Sequence, residues 1–387
     1  MKRPLPWTAA LAVAVLSLTH GPVRAELLIS ANDGKAVLVD GVNTVPATPL
    51  PDSVSIFDLS GKTPKVTTTI LMPTSLVGPP SSVAIAHDES FALVTAATKI
   101  DPADKTKIVP HNIVSVIDLT ATPPRVIATH ETGTGASGVA INRAGTLALI
   151  CNRAEGTLSV FTIKGKVLTA AGKVKLGDGK SGPSAVAFTP DGKHALVTRD
   201  GDHRISILDI EAGSEVVPSG RDLFAGLKPY GLSISPRGDF AAVTNVGMGN
   251  GDTDTISLID LTANPPRVVD TVSVGASPES LTIAPDGKHL AVVVINGTNK
   301  PANSPFVHAH GRMPIYEVKG MKLKKVAEAP TGRWCQGAGW TKSSKTVLVQ
   351  CIVEQEIQMF KLDGKTLKPA GALKVNGGPA GIATTSR

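Results

Sequence analysis

The sequence predicts an all-β fold: a seven-bladed β-propeller of four-stranded antiparallel sheets, closed by the C-terminal strand joining the first blade. Three observations predict it. A turn phrase recurs along the chain, β-branched strands flank each copy, and the amino-terminal end lacks a strand that the carboxyl-terminal end has to spare.

Blade one comes first. Residues 27–30, 54–59 and 65–70 read as its second, third and fourth strands, with no first strand ahead of them. The missing strand lies at the other terminus, where Gly378-Pro379-Ala380-Gly381-Ile382-Ala383 aligns with Gly182-Pro183-Ser184-Ala185-Val186-Ala187, the innermost strand of a later blade. Pairing that tail with the amino-terminal sheet, Ile382 beside Leu28, closes the ring and removes its open edge.

Each later blade carries the turn. It is clearest at Pro190-Asp191-Gly192-Lys193, Pro236-Arg237-Gly238-Asp239 and Pro285-Asp286-Gly287-Lys288, with weaker copies beginning at His87, Arg143 and Lys342. Pro presets φ at the second turn position, Asp bonds its own backbone and Gly accepts the left-handed conformation, so each copy joins two antiparallel strands. The strand after the turn is rich in β-branched residues, as in Leu149-Ile150-Cys151-Asn152, Leu196-Val197-Thr198-Arg199 and Ala242-Val243-Thr244-Asn245. A third strand ends in an apolar–acid–apolar triplet (Ile117-Asp118-Leu119, Leu208-Asp209-Ile210, Ile259-Asp260-Leu261), and a fourth follows, as at Arg125-Val126-Ile127. Successive turns lie roughly 46 to 57 residues apart, the length of a propeller blade with variable loops.

Residues 1–25 read as a secretory signal: Lys2 and Arg3, an apolar run from Trp7 to Leu18 too short to span a bilayer, then Val23-Arg24-Ala25. The expected mature chain is one propeller domain, residues 26–387, periplasmic or secreted. Without the leader the formal charge falls from +7 to 36 − 32 = +4. No Lys/Arg block marks a nucleic-acid or membrane patch, and only 13 residues are Phe, Trp or Tyr, too few for stacking platforms. Of the three cysteines, Cys335 and Cys351 align nearly opposite one another across a hairpin, where a disulfide suits an oxidising compartment; Cys151 reads as a buried free thiol.

The phrase apolar-Val-Thr-Asn, followed by a strand like Ser257-Leu258-Ile259-Asp260-Leu261 and a lead-in like Gly275-Ala276-Ser277-Pro278, resembles the YVTN-repeat β-propellers over nearly all of residues 26–387. That resemblance implies the fold. The wider group includes lactonase-like propellers and the heavy subunits of periplasmic amine dehydrogenases, and the repeat does not choose among them.

In this architecture the connections from second to third strand and from fourth to first share one face. That face carries the insertions, at residues 31–52, 97–112, 246–254 and 295–312, and is the expected place for a site. The residue after each lead-in should ring the channel mouth: Ser81, Ser137, Ser184, Tyr230, Glu279, Gln336 and Ala380. Tyr230, Glu279 and Gln336 on neighbouring blades, with Asn152, Arg199 and Asn245 at strand ends and Arg333 and Trp334 from a connection, form the expected ligand site. Its chemistry suits a small polar or anionic ligand, and the same face could take a protein partner.

His308 and His310 have the spacing of two metal ligands, with His111, His203 or Glu354 as a third; solvent-facing histidines without metal have the same spacing. No cofactor motif is identifiable: there is no Cys-x-x-Cys-His, no phosphate-cradling glycine loop and no nucleophile elbow. Three functions remain open: an exported binding propeller, a lactonase-type hydrolase or cyclase with Glu279 or a loop His as base and Arg199 or Arg333 holding the substrate, and a scaffold subunit of a periplasmic dehydrogenase.

Overall fold

The turns do what their composition dictates. Gly192, Gly238 and Gly287 have φ of 71°, 74° and 65°, and Asp191 and Asp286 accept the backbone N–H of Lys193 and Lys288 at 3.1 and 2.7 Å. In the computed structural model, which describes Met1 and residues 26–61 and 63–385, these hairpins belong to seven four-stranded antiparallel sheets. The leader expected at residues 1–25 lies outside the described residues apart from Met1.

Blade four shows the plan, running outward in chain order through Pro183–Phe188, His194–Arg199, Arg204–Ile210 and Val216–Leu223. Blade one is composite: Gly378–Thr384 is innermost, followed by Leu27–Asp33, Ser53–Asp58 and Lys65–Leu71. The closure is therefore as expected, but its register lies two residues along. Leu28 faces Thr384, and Ile382 faces Ser30. From Leu28 to Ala31 this even displacement keeps each side chain on its expected face, and a bulge after Ala31 then moves the register by one residue.

Repeated polar residues hold each blade. The buried Thr of the second strand ties the inner strand to the next blade: Thr198 Oγ1 accepts from Ala185 N–H at 2.9 Å and donates to the Tyr230 carbonyl at 2.8 Å. The Asp of the third-strand triplet accepts the backbone N–H two residues on, Asp118 from Thr120 at 2.8 Å and Asp260 from Thr262 at 2.9 Å, turning the chain into the fourth strand. Apolar cores lie between blades; Phe240, Leu258 and Val274 of blade five pack with Leu281, Leu290 and Tyr316 of blade six.

Five inner strands (Ala136–Ile141, Pro183–Phe188, Pro229–Ile234, Pro278–Ile283 and Cys335–Trp340) break register immediately after their first residue. A bulge re-aims the side chain it carries, and the bulged residues are Ser137, Ser184, Tyr230, Glu279 and Gln336. Beside them the strands nearly touch. A Cβ on Gly138 would lie 2.3 Å from the Ser184 carbonyl, and one on Gly381 would lie 2.1 Å from Ser82 Oγ, so glycine is required where these two strands approach the next blade.

Two insertions differ from plain loops. In blade two, strands Phe91–Ile100 and Ile108–Asp118 simply run longer; in blade one, Val37–Val39 and Val42–Thr44 form a separate hairpin. The insertions interlock over the face: Ala302 N–H donates to Asp40 at 3.0 Å, and Lys300 Nζ to the Gly249 carbonyl at 2.6 Å.

Candidate functional site

The bulges carry Tyr230 and Glu279 at the loop-face start of the inner strands of blades five and six, each half-buried between neighbouring blades. Two residues absent from the sequence-based set complete the cluster. Arg153 and Asp200 follow directly after Asn152 and Arg199, and they form a two-pronged ion pair, Nη1 to Oδ1 at 2.5 Å and Nη2 to Oδ2 at 2.8 Å. Buried Ser184 donates to Asp200 Oδ1 at 2.7 Å and also meets the Arg153 guanidinium, whose carbon sits 5.5 Å from the Tyr230 ring centroid.

Burial pushes the Glu279 carboxyl up to about 7; Arg153 opposes the shift and Asp200 adds to it. Burial, joined by the charge of Glu279, also raises the Tyr230 phenol well above its ordinary value. Burial works against the charge on Arg153, yet Tyr230, Asp200 and Glu279 together keep its guanidinium firmly protonated. The mouth therefore holds the Arg153–Asp200 ion pair, a neutral phenol and a carboxyl poised to exchange a proton near neutrality. A cavity of about 280 Å³ opens against Arg153 and Asp200, bounded also by Lys180, Thr98 and Pro110.

The other expected residues are placed elsewhere. Asn152 and Asn245 are fully buried inside their blades: Asn152 donates to Thr157 and Ser159 at 2.8 and 3.0 Å, Asn245 to Thr255 and Ser257 at 2.9 and 3.1 Å. They fasten the second strand to the third. Arg199 occupies the same position in blade four, donating to Ser206 at 3.1 Å and pairing with Asp202 and Asp222, on the opposite side of the strand from Asp200. Strand alternation accounts for the difference, since consecutive side chains point to opposite faces. A reading advanced by one residue at each strand end would have found Arg153 and Asp200.

Gln336 is buried, and its Oε1 has no hydrogen-bond partner among the described residues. Arg333 is exposed on the loop face, paired with Glu354 at 2.9 Å, and is not brought to Glu279. Trp334 packs against Ala36, Leu76, Ile295, Ile352 and Ala380, an apolar cap over the mouth on the side of blades six, seven and one. The Arg153, Asp200, Tyr230 and Glu279 cluster thus spans blades three to six; beside the apolar cap, blade one carries its own buried ion cluster, Lys35 with Asp33 and Asp52 at 2.9 and 2.8 Å.

His308 and His310 are exposed, and His308 Nδ1 lies 3.1 Å from the Phe306 carbonyl. Among the described residues no group of three or more His, Cys, Asp or Glu side chains gathers at a metal-binding distance. Cys335 and Cys351 are directly paired across the blade-seven hairpin, with Cα atoms 3.9 Å apart and sulfurs 2.03 Å apart. Cys151 is free and buried, and burial pushes its thiol up.

No protein-family model and no curated protein matches the sequence. Solved structures do. A 6-phosphogluconolactonase-like protein of Bacteroides uniformis superposes with a TM-score of 0.72 at 19% identity, covering 93% of this chain and 100% of that one. The periplasmic gluconolactonase of Pseudomonas aeruginosa gives 0.68 at 14%, covering 93% and 99%. Hydrazine synthase of Kuenenia stuttgartiensis gives 0.63 at 18%, covering 80% and 90%. At these identities the likeness shows the fold, and the chain is a seven-bladed β-propeller whose structural neighbours include lactonase-like propeller proteins.

Proposed function

We propose that this propeller binds a small polar ligand at the charged side of its loop-face channel mouth, between Arg153, Asp200, Tyr230 and Glu279. The observation that carries this is the enclosed Glu279 carboxyl, raised to about 7 beside a satisfied ion pair. An acid so placed both donates and accepts hydrogen bonds at neutral pH. Within the cluster Asp200 offsets Arg153, which suits an uncharged polar molecule, and the exposed Lys180 on the adjoining cavity offers a contact for an anionic substituent. An exported setting belongs to this reading, supported by the leader-like residues 1–25 and the cross-strand pairing of Cys335 with Cys351. Among the described residues no helix is long and apolar enough to cross a membrane.

Hydrolysis of a lactone is the second reading, favoured by the same carboxyl and by the descriptions of the neighbouring structures. Glu279, ionised, would take a proton from water as that water adds to the lactone carbonyl. The Tyr230 hydroxyl and the Arg153 guanidinium are the nearby donors for the developing oxyanion, and the proton on Glu279 would pass to the ring oxygen as its bond to the carbonyl carbon breaks.

One experiment addresses both. Purified protein is titrated with a panel of uncharged sugar lactones and the corresponding ring-opened or reduced sugars, following ligand-induced thermal shift and acid release. Binding weakened by Glu279→Gln and Asp200→Asn supports the site, and turnover abolished by Glu279→Gln makes it hydrolytic. Binding indifferent to both substitutions would refute the placement.

A further inference from the structure

Exposed apolar side chains are not spread evenly over this ring. Apart from Met1, thirteen large ones are exposed among the described residues, nine on loop-face connections and four on outer strands. The hairpin turns between first and second strands expose none. We propose that the loop face carries a self-association surface, on which a second copy of this chain docks about a two-fold axis.

Four connections that hold one another build the surface. Phe224 and Leu227 lie in the passage from blade four to blade five, and Gly247 N–H donates to the Leu227 carbonyl at 3.1 Å, which brings Met248 alongside. Gly251, three residues further on, lies against the Phe306 ring within the space a Cβ would take. Phe306 and Val307 are thereby seated beside the Met248 loop. Lys300 Nζ fastens the same blade-six insertion to the Gly249 carbonyl, and its Ala302 N–H reaches Asp40, in the blade-one hairpin that carries Val39 and Val42. A surface tied down in this way has little ordering left to undergo on binding.

The exposure is large. Phe224 is 64% exposed, Val42 63% and Met248 59%. Solitary exposed apolar residues are ordinary, but the seven on these interlocked connections leave on the order of 700 Å² open to water, above the roughly 300–600 Å² of the largest patch on a typical monomer. That area approaches the ~800 Å² each partner brings to a stable interface.

Charge selects the occupant. On these connections the lysines without an ion-pair partner among the described residues are Lys228 and Lys300, and the acids are Asp40, Asp252 and Asp254. Neither sign predominates, which disfavours an anionic bilayer or a strongly charged protein. A rotated copy brings an equal apolar area, and lysines of one chain can meet aspartates of the other across the seam.

Sedimentation velocity of the purified protein is the test. Wild type should be dimeric at ~50 µM. Phe306→Asp and Met248→Asp should each raise the dimer dissociation constant at least about a hundredfold, because a substitution in a two-fold interface enters twice. Val167→Asp, on the exposed outer strand of blade three, should leave it unchanged. Circular dichroism checks each fold, and either loop-face variant suffices should the other not fold. A monomeric wild type would overturn the proposal, and flotation with phosphatidylglycerol vesicles that is lost in Phe306→Asp would then assign the face to a lipid surface. A dimer indifferent to both loop-face substitutions, or broken by Val167→Asp alone, would overturn it equally.

Discussion

Replacing Glu279 by Gln should make the protein more stable at alkaline pH and change it little at acid pH. The folded carboxyl titrates at about 7, above the ordinary 4.5, because burial disfavours its charge. Between those values the folded state holds a proton that the unfolded chain has released, so stability falls as pH rises through this window. A displacement of about 2.5 units at ~1.36 kcal/mol each makes the ionised carboxyl cost about 3 kcal/mol above pH 7. Gln keeps the shape without the charge and escapes that cost. For a domain of about 360 residues the unfolding entropy is ~0.8 kcal/mol/K, so the variant should melt about 4 °C higher than wild type at pH 8.5. At pH 4.5 the two should melt within about 1 °C. The assay is thermal unfolding followed by circular dichroism from pH 4 to 9. A melting difference that does not change with pH would show that Glu279 is not held neutral by its surroundings, and the argument for the mouth site would fail with it.

Three further outcomes follow from the same geometry. Asp200→Asn leaves Arg153 without its partner and removes one of the charges that raise Glu279. It should destabilise the protein by about 3 kcal/mol, and the pH window of the preceding experiment should move to lower values. Asn152→Ala deletes the link to Thr157 and Ser159 and should cost about 1–3 kcal/mol in urea unfolding, with ligand affinity unaltered. Unchanged stability with lost affinity would return Asn152 to the binding site. Peptide mapping without reductant should recover the Cys335 and Cys351 peptides as one species, and Cys335→Ser should lower stability by about 3 kcal/mol, the value for a loop of this length. Both peptides recovered with free thiols would contradict the pairing.

The architecture was legible because each of its signals is local. Turn chemistry, β-branched strands and the Asp of the third-strand triplet act within a few residues, and repetition made each copy check the others. The closing strand could be assigned because a blade with three strands leaves an unpaired edge, which the carboxyl-terminal segment matches. Its register was displaced by two residues, since alternation specifies parity far more firmly than absolute offset. The recurring Asn and Thr residues were visible as a pattern, but their work was not: Thr198 bridges blades and Asn245 fastens strands, both within the structure of the ring.

The chain's own order of residues determined a seven-membered ring of sheets, the face on which insertions accumulate, and the arrival of Tyr230 and Glu279 at the channel. Only the tertiary structure decided which strand-end residues join them. Whether Arg199 or Asp200 enters the lumen depends on how far the second strand runs before it turns, and a single residue reverses the face. The elevated proton affinity of Glu279 likewise exists only once blades three to six have converged, because desolvation is a property of the assembled surroundings and not of any one segment.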